Sequence, residues 1–223
     1  MVAQGWCRNR AGRSIIFPCV ILSAAKDLLC VPRRQPLTGE ARSFASLRMT
    51  RHSLTIRFKR HPDGTASLTC VRADGTSTWQ RQQGSLGVVF PPHDLTHYAV
   101  ETTLGYRNGF YGLIADGWDI SDFAKPWPRG AIPVEAQEVE LIVGFFDTER
   151  RSFTQMTETE FNDHAERYLA ARKSTKPGAL AVAPRLTQEQ IDRVRSCRAD
   201  VFSRWGKLAL GETLELPFER PAP

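Results

Sequence analysis

Between residues 54 and 80 the apolar side chains recur at every second position, beyond that they recur at helical intervals, and close to the C-terminus the two-residue period returns. Leu54, Ile56 and Phe58 alternate with Thr55, Arg57 and Lys59, the pattern of a strand with one face in a core. Pro62-Asp63-Gly64 marks a turn, Ala66, Leu68 and Cys70 repeat the alternation, and Asp74-Gly75 marks a second turn before Thr78-Trp79-Gln80. Strands joined by turns this short pair antiparallel, because a parallel pair needs a crossover of about a dozen residues or more. Leu214, Leu216 and Phe218 alternate again as a closing strand. Strands at both ends of a helical middle predict an α+β fold, in which an N-terminal three-stranded antiparallel meander packs against four to five helices and a short C-terminal strand follows.

The helical middle is punctuated by recognisable starts and stops. A helix is expected from about Pro92 to Leu104, ended by Gly105, and a shorter one from Phe110 to Ala115, ended by Gly117. The stretch from Trp118 to Pro133 is rich in Pro, Gly and Asp and reads as a loop, with Asp116, Asp119 and Asp122 as turn and cap residues. A third helix is expected from Pro133 to about Arg150. Thr157 with Glu160 and Thr187 with Gln190 have the spacing of capping boxes, flanked by the staple pairs Met156/Phe161 and Leu186/Ile191, so two more helices begin there. Lys173 to Arg185 reads as a linker between them. The last helix turns Ile191, Val194, Val201, Phe202 and Trp205 inward.

Within the first of these helices stands His93-Asp94-Leu95-Thr96-His97-Tyr98-Ala99-Val100-Glu101. At 100° per residue, His93, His97 and Glu101 fall at about 0°, 40° and 80°, and Asp94 at about 100°. Two imidazoles one turn apart can hold one metal ion, and a carboxylate a further turn along can complete the ligand set or act as a base, as in helical HExxH zinc sites. His93, His97 and Glu101 are therefore candidate metal ligands, and Glu101 and Asp94 candidate catalytic carboxylates. The structural alternative is that Asp94 caps the helix and the histidines are core residues in a polar network.

The third helix offers another candidate. Its apolar residues Val139, Leu141, Ile142, Val143, Phe145 and Phe146 centre near 50° when Glu138 is set at 0°, which puts Glu135 and Glu138 inside the apolar arc and Glu140 and Asp147, near 200° and 180°, toward solvent. A carboxylate in a core needs a counter-charge or a metal. Glu135 suits the helix dipole in the first turn. Glu138 lacks that explanation and is expected as a ligand brought from a second helix.

The formal charge of +6 would suggest a nucleic-acid or anionic-membrane partner, but it is confined to residues 1 to 48, which hold eight basic and two acidic residues. The remaining 22 basic and 22 acidic residues balance. Arg193, Arg195, Arg198, Arg204 and Lys207 are interleaved with Asp192 and Asp200 and read as a solvated face, so no nucleic-acid partner is expected. No apolar run reaches the ~20 residues of a membrane span. Cys7, Cys19 and Cys30 fall in the basic segment, and Cys70 and Cys197 read as isolated, reduced thiols.

VILSAAKDLL and ARSFASLRMT, within residues 20 to 50, resemble the translation of an interspersed bacterial DNA repeat. On that resemblance residues 1 to 48 are a non-native leader, Met49 is the start, and 49 to 223 form a single cytoplasmic domain. The alternative is a secretory signal, with Arg8, Arg10 and Arg13 preceding the apolar run from Ser14 to Ala25.

The segments FPPHDLTHYAVE, GFYGLIADGWDI and EAQEVELIVGFFDTER resemble a small uncharacterised family of bacterial proteins, over most of residues 53 to 218. The HDxxH core also resembles the zinc motif of a ubiquinone-biosynthesis family, which carries a glutamate twelve residues after the second histidine; that position is Gly109 in this chain, and the nearer acid is Glu101. The residues together lead us to expect a divalent-metal-binding protein, with zinc as the ion and metal-dependent hydrolysis of a small-molecule substrate as the reaction class. The segment from Tyr106 to Trp118 would then wall the site. The competing expectation is a non-enzymatic protein-interaction module whose His/Asp/Glu cluster is a structural network.

Overall fold

The computed structural model describes residues 53–82, 86–124, 127–172 and 178–222. The expected leader, residues 1 to 48, and the first part of the expected linker, residues 173 to 177, lie outside the described residues.

Strands β1 (Ser53–Arg60), β2 (Ala66–Arg72) and β3 (Ser77–Gln82) form the expected meander, and β4 (Thr213–Glu219) closes the sheet on the free edge of β1 in the order β3-β2-β1-β4. All three pairings are antiparallel. Ile56 lies opposite Cys70 on one side and Leu216 on the other, so the three apolar alternations share one face. That face carries Leu54, Ile56, Phe58, Leu68, Leu214, Leu216 and Phe218, each nearly or fully buried. Burying one such side chain contributes about 1.5–3 kcal/mol. On the other face Arg57 pairs with Glu215 at 2.7 Å in solvent, an arrangement that solubilises the sheet and adds little stability.

Helix α1 (Leu86–Leu104) lies on the apolar face of the sheet. It begins a turn and a half before the expected start, so Pro91 and Pro92 sit inside it. Their missing N–H groups leave carbonyls of the first turn without helical partners, and Thr96 Oγ1 donates back to the Pro92 carbonyl at 2.8 Å. The longer helix has a direct consequence for the motif: His93 is a full helical residue, and its alignment with His97 is preserved. Gly105, at φ +74, ends the helix as expected.

Four further helices follow: α2 (Phe110–Ala115), α3 (Val134–Ser152), α4 (Glu158–Arg172) and α5 (Gln188–Lys207), with a 3-10 turn at Ile120–Phe123 inside the expected loop. Asp119 and Asp122 form a capping box on that turn, the role expected of them. Thr187 caps α5 through the Gln190 amide, and Glu160 bonds back to Thr157 at the start of α4. The architecture is thus the expected α+β one.

Two apolar cores result. One lies between the sheet and α1, where Leu95 and Tyr98 meet Tyr111, Ile114 and Val201. The other lies beyond α1, where Ala99 and Val100 meet Val139, Ile142, Phe146, Phe161, Ile191 and Val194 of α3, α4 and α5. Helix α1 is therefore a central helix covered on opposite sides. A polar residue on it cannot reach water simply by pointing away from the sheet.

Candidate metal centre

His93 and His97 are 4% and 2% exposed, with ring centroids 4.9 Å apart. Their adjacency follows from the i, i+4 spacing on α1, as the sequence implied. What faces them comes from α3. His97 Nε2 lies 3.2 Å from Glu140 Oε2, and His93 Nε2 lies 4.0 Å from Glu140 Oε1. The ligand atoms of His93, His97 and Glu140 all lie within 4.8 Å of one another, and the three residues can hold a metal ion.

The far sides of both rings are also held by carboxylates. His93 Nδ1 donates to Asp147 Oδ2 at 2.8 Å, while Arg150 at 3.4 Å holds the other oxygen of Asp147. His97 Nδ1 lies 3.3 Å from Glu101 Oε1, and Glu101 Oε2 accepts the backbone N–H groups of Tyr111 at 3.0 Å and Gly112 at 3.1 Å. Each imidazole therefore stands between two acidic residues, one of them Glu140, and turns Nε2 toward that shared carboxylate. His93 Nε2 is the exception to complete pairing, being buried without a hydrogen-bond partner among the described residues. Such an atom costs about 1–3 kcal/mol unless something satisfies it.

Electrostatics follow from this crowding. Burial by itself would lower the pKa of His97, but its hydrogen bonds to Glu101 and Glu140 and their charges prevail and hold it up at about 10. Burial opposes ionisation of Glu140 and Asp147 too, yet hydrogen bonds from His97 and His93 and the nearby positive charges bring both below the usual carboxylate range. Glu101 moves the other way: its burial outweighs the bonds from His97, Gly112 and Tyr111 and raises it. Asp94 is raised to about 6, by burial against the opposing influence of the two histidines.

The sequence-derived candidates separate accordingly. His93 and His97 come together with a carboxylate as expected. Glu101 adjoins the same cluster at the far nitrogen of His97 and is outside the His93/His97/Glu140 group. Its carboxyl group is fully buried and bonded at both oxygens. Asp94 is buried beside the sheet-side core, where burial first and its charge second push up the thiol of Cys70 and the phenol of Tyr111, and it is outside the His93/His97/Glu140 group.

Glu138 falls outside the His93/His97/Glu140 group. Its carboxylate accepts from the Tyr106 hydroxyl at 2.5 Å and is not brought to the histidines. Glu135 instead accepts the backbone N–H groups of Arg107 and Asn108 and fastens the loop after α1. The carboxylates that do face the histidines, Glu140 and Asp147, lie on the arc opposite the apolar residues, which the helical pattern directs toward solvent. That arc packs on the polar face of α1. The available signal was their spacing of seven residues, two helical turns, which puts both on one line opposite a second helix with its own polar line.

Part of the expected wall from Tyr106 to Trp118 does border the cluster. The Phe110 ring lies 5.4 Å from that of His97, and Tyr111 donates its hydroxyl to the Asp94 carbonyl at 3.0 Å. The cluster is reached from outside at Glu140, whose side chain is 28% exposed. A Cβ built on Gly109 would fall 2.4 Å from Glu101 Cδ. No family model, curated protein or solved structure matches the chain.

Proposed function

We propose that this protein binds one divalent ion, with zinc the best fit, through His93 Nε2, His97 Nε2 and Glu140, and that it is a metal-dependent hydrolase. The observation that carries the reading is the buried, unpartnered Nε2 of His93, whose ring is already oriented by Asp147. Donation of the Nδ1 proton to Asp147 leaves the Nε2 lone pair directed at the site, which is how a metal-binding histidine is prepared.

Distances support it. Ligand atoms about 2.1 Å from a tetrahedral zinc lie about 3.4 Å from one another. The imidazole-to-Glu140 distances, 3.2 Å to Oε2 and 4.0 Å to Oε1, bracket that value, and the three ligand atoms as a set lie within 4.8 Å of one another. Two imidazoles and one carboxylate suit zinc or a neighbouring transition metal, whereas calcium and magnesium prefer all-oxygen sets. Three protein ligands also leave a fourth position, which is the mark of a catalytic site over a structural one.

A bound ion would supply a Lewis acid and lower the pKa of coordinated water toward 7, the chemistry that hydrolyses an ester, amide or phosphoester. The remaining work falls to the protein. Asp147 keeps His93 in the ligating tautomer, Phe110 excludes water from one side of His97, and Glu140 gives the cluster its exposed edge.

A second reading is favoured by one observation. His97 has both nitrogens paired to carboxylates, so it can stand as an imidazolium in a structural network, as it would in a non-enzymatic interaction module. Elemental analysis after equilibration with zinc in a non-chelating buffer separates the two. One equivalent of tightly held metal, lost in His93→Ala, together with ester, amide or phosphoester hydrolysis that a chelator abolishes and zinc restores, is the expected result. Failure to retain metal would leave the network reading.

A further inference from the structure

We infer that Glu101 is the positioning residue for His97, and that position 109 has to lack a side chain for Glu101 to do this. The inference rests on the metal-site reading above and assigns a role to a residue that the ligand set does not contain.

Glu101 is fully buried, and three donors fix its carboxylate. Oε1 faces His97 Nδ1 at 3.3 Å, and Oε2 receives the N–H groups of Tyr111 and Gly112 at 3.0 and 3.1 Å. With Oε2 held by two backbone donors, Oε1 is the oxygen left to receive the His97 Nδ1 proton. Once a metal displaces the second ring proton, the lone pair lies on Nε2, the nitrogen that faces Glu140.

Gly109 supplies an independent observation. Its φ of −74° is open to any residue, so backbone conformation does not call for glycine there. Space does. A Cβ would stand 2.4 Å from Glu101 Cδ and 2.5 Å from Oε2, closer than such atoms approach. The carboxylate is enclosed on all these sides and cannot step aside without losing the Tyr111 and Gly112 bonds. Any side chain at 109 therefore moves Glu101, and with it the partner of His97.

The isosteric change Glu101→Gln tests the proton directly. The N–H groups of Tyr111 and Gly112 require an oxygen, so the new amide must turn its NH2 to His97. An amide N–H donates to Nδ1 and drives the ring proton onto Nε2, the ligating atom, with no change in volume. Gly109→Ala reaches the same end by displacing the carboxylate and leaves every polar group in the sequence untouched.

Binding of Co2+ to the full chain, followed by its visible absorption and by competition with a chelator, gives the affinity; 15N shifts of the ring nitrogens in the Zn2+-loaded protein give the tautomer. Both variants are expected to lose about 10- to 100-fold in affinity. In the loaded wild type, His97 is expected to be metallated at Nε2 with a protected proton on Nδ1. Equal affinity in both variants would overturn the inference. Metallation of wild-type His97 at Nδ1 would overturn it as well, and needs no variant to fold. A wild-type chain that takes up neither metal would overturn the site reading beneath it.

Discussion

His93 of α1 and Asp147 of α3 share a 2.8 Å hydrogen bond across 54 residues of sequence, and both are buried. The bond does two things at once. It ties the two helices whose polar faces meet, and it fixes which nitrogen of His93 is free. Asp147→Asn should separate these effects, because an amide can retain a hydrogen bond but no longer attracts the Nδ1 proton. Zinc affinity measured by chelator competition is expected to fall about 10- to 100-fold with little change in fold by circular dichroism. Unaltered affinity would mean that His93 does not depend on Asp147 for its tautomer.

Two glutamates of α3, Glu138 and Glu140, give a paired test. Glu140→Gln removes a proposed ligand and should weaken zinc binding beyond the roughly 100-fold expected of an outer partner. Glu138→Gln touches only the Tyr106 hydroxyl bond and should leave zinc binding intact, at a stability change of about 0.5–1.5 kcal/mol in denaturant unfolding. Reversal of the two outcomes would restore Glu138 as the ligand.

These two residues also mark what could be read from the sequence. The strands were legible because each has one wet face, so alternation in sequence maps onto burial. The capped starts of α4 and α5 were legible because capping is local. The histidine pair was legible because i, i+4 spacing is a property of a single helix. The acid that faces the pair was not, since it depends on how two helices dock. Helix α3 is buried on its apolar arc by α4 and α5 and again on its polar arc by α1, and a rule that assigns the less apolar side to solvent places Glu140 and Asp147 on the wrong surface. The start of α1 differs from the expected one for a related reason: paired prolines usually open a helix, and in this chain they sit inside one.

Asp94 provides a test on stability. Its folded pKa of about 6 lies above the ordinary 3.8, so the folded chain holds a proton that the unfolded chain releases between these values. That contribution is fully present below about pH 3.8 and is lost as pH rises through 6. At pH 7 the buried charge is a cost, on the order of 3 kcal/mol for a shift of about two units. Asp94→Asn is expected to raise the melting temperature at pH 7 more than at pH 4, with metal uptake retained. Loss of metal uptake would instead make Asp94 part of the site.

Burial and the low reactivity of a protonated thiol predict the behaviour of the two described cysteines. Cys70 is fully buried and its pKa is pushed up by burial and by the charge of Asp94, whereas Cys197 is partly exposed and less protected. Native protein treated with iodoacetamide should be labelled at Cys197 before Cys70, as read by peptide mass. Early labelling of Cys70 would show that the sheet opens readily from the helix that covers it.

The last prediction concerns the proton that a metal must displace. In the metal-free protein His97 is held up at about 10, above its ordinary 6.5, by Glu101 and Glu140 acting against its burial. The folded chain therefore binds more protons than the unfolded one between those values. The stabilisation is complete below about pH 6.5 and is lost as pH rises through 10. A cation bound at Nε2 takes the place of that proton and keeps both carboxylates compensated at high pH. Zinc affinity should accordingly continue to climb between pH 7 and 9, where an ordinary histidine would already be free of its proton and the affinity would level off. The melting-temperature difference between zinc-loaded and metal-free protein should widen over the same range. Calorimetry in two buffers of different ionisation enthalpy supplies the direct count, with close to one proton released per zinc at pH 7.5. A count near zero, with affinity flat above pH 7, would mean that His97 is already neutral before the metal arrives, and that Glu101 and Glu140 do not hold a charge between them.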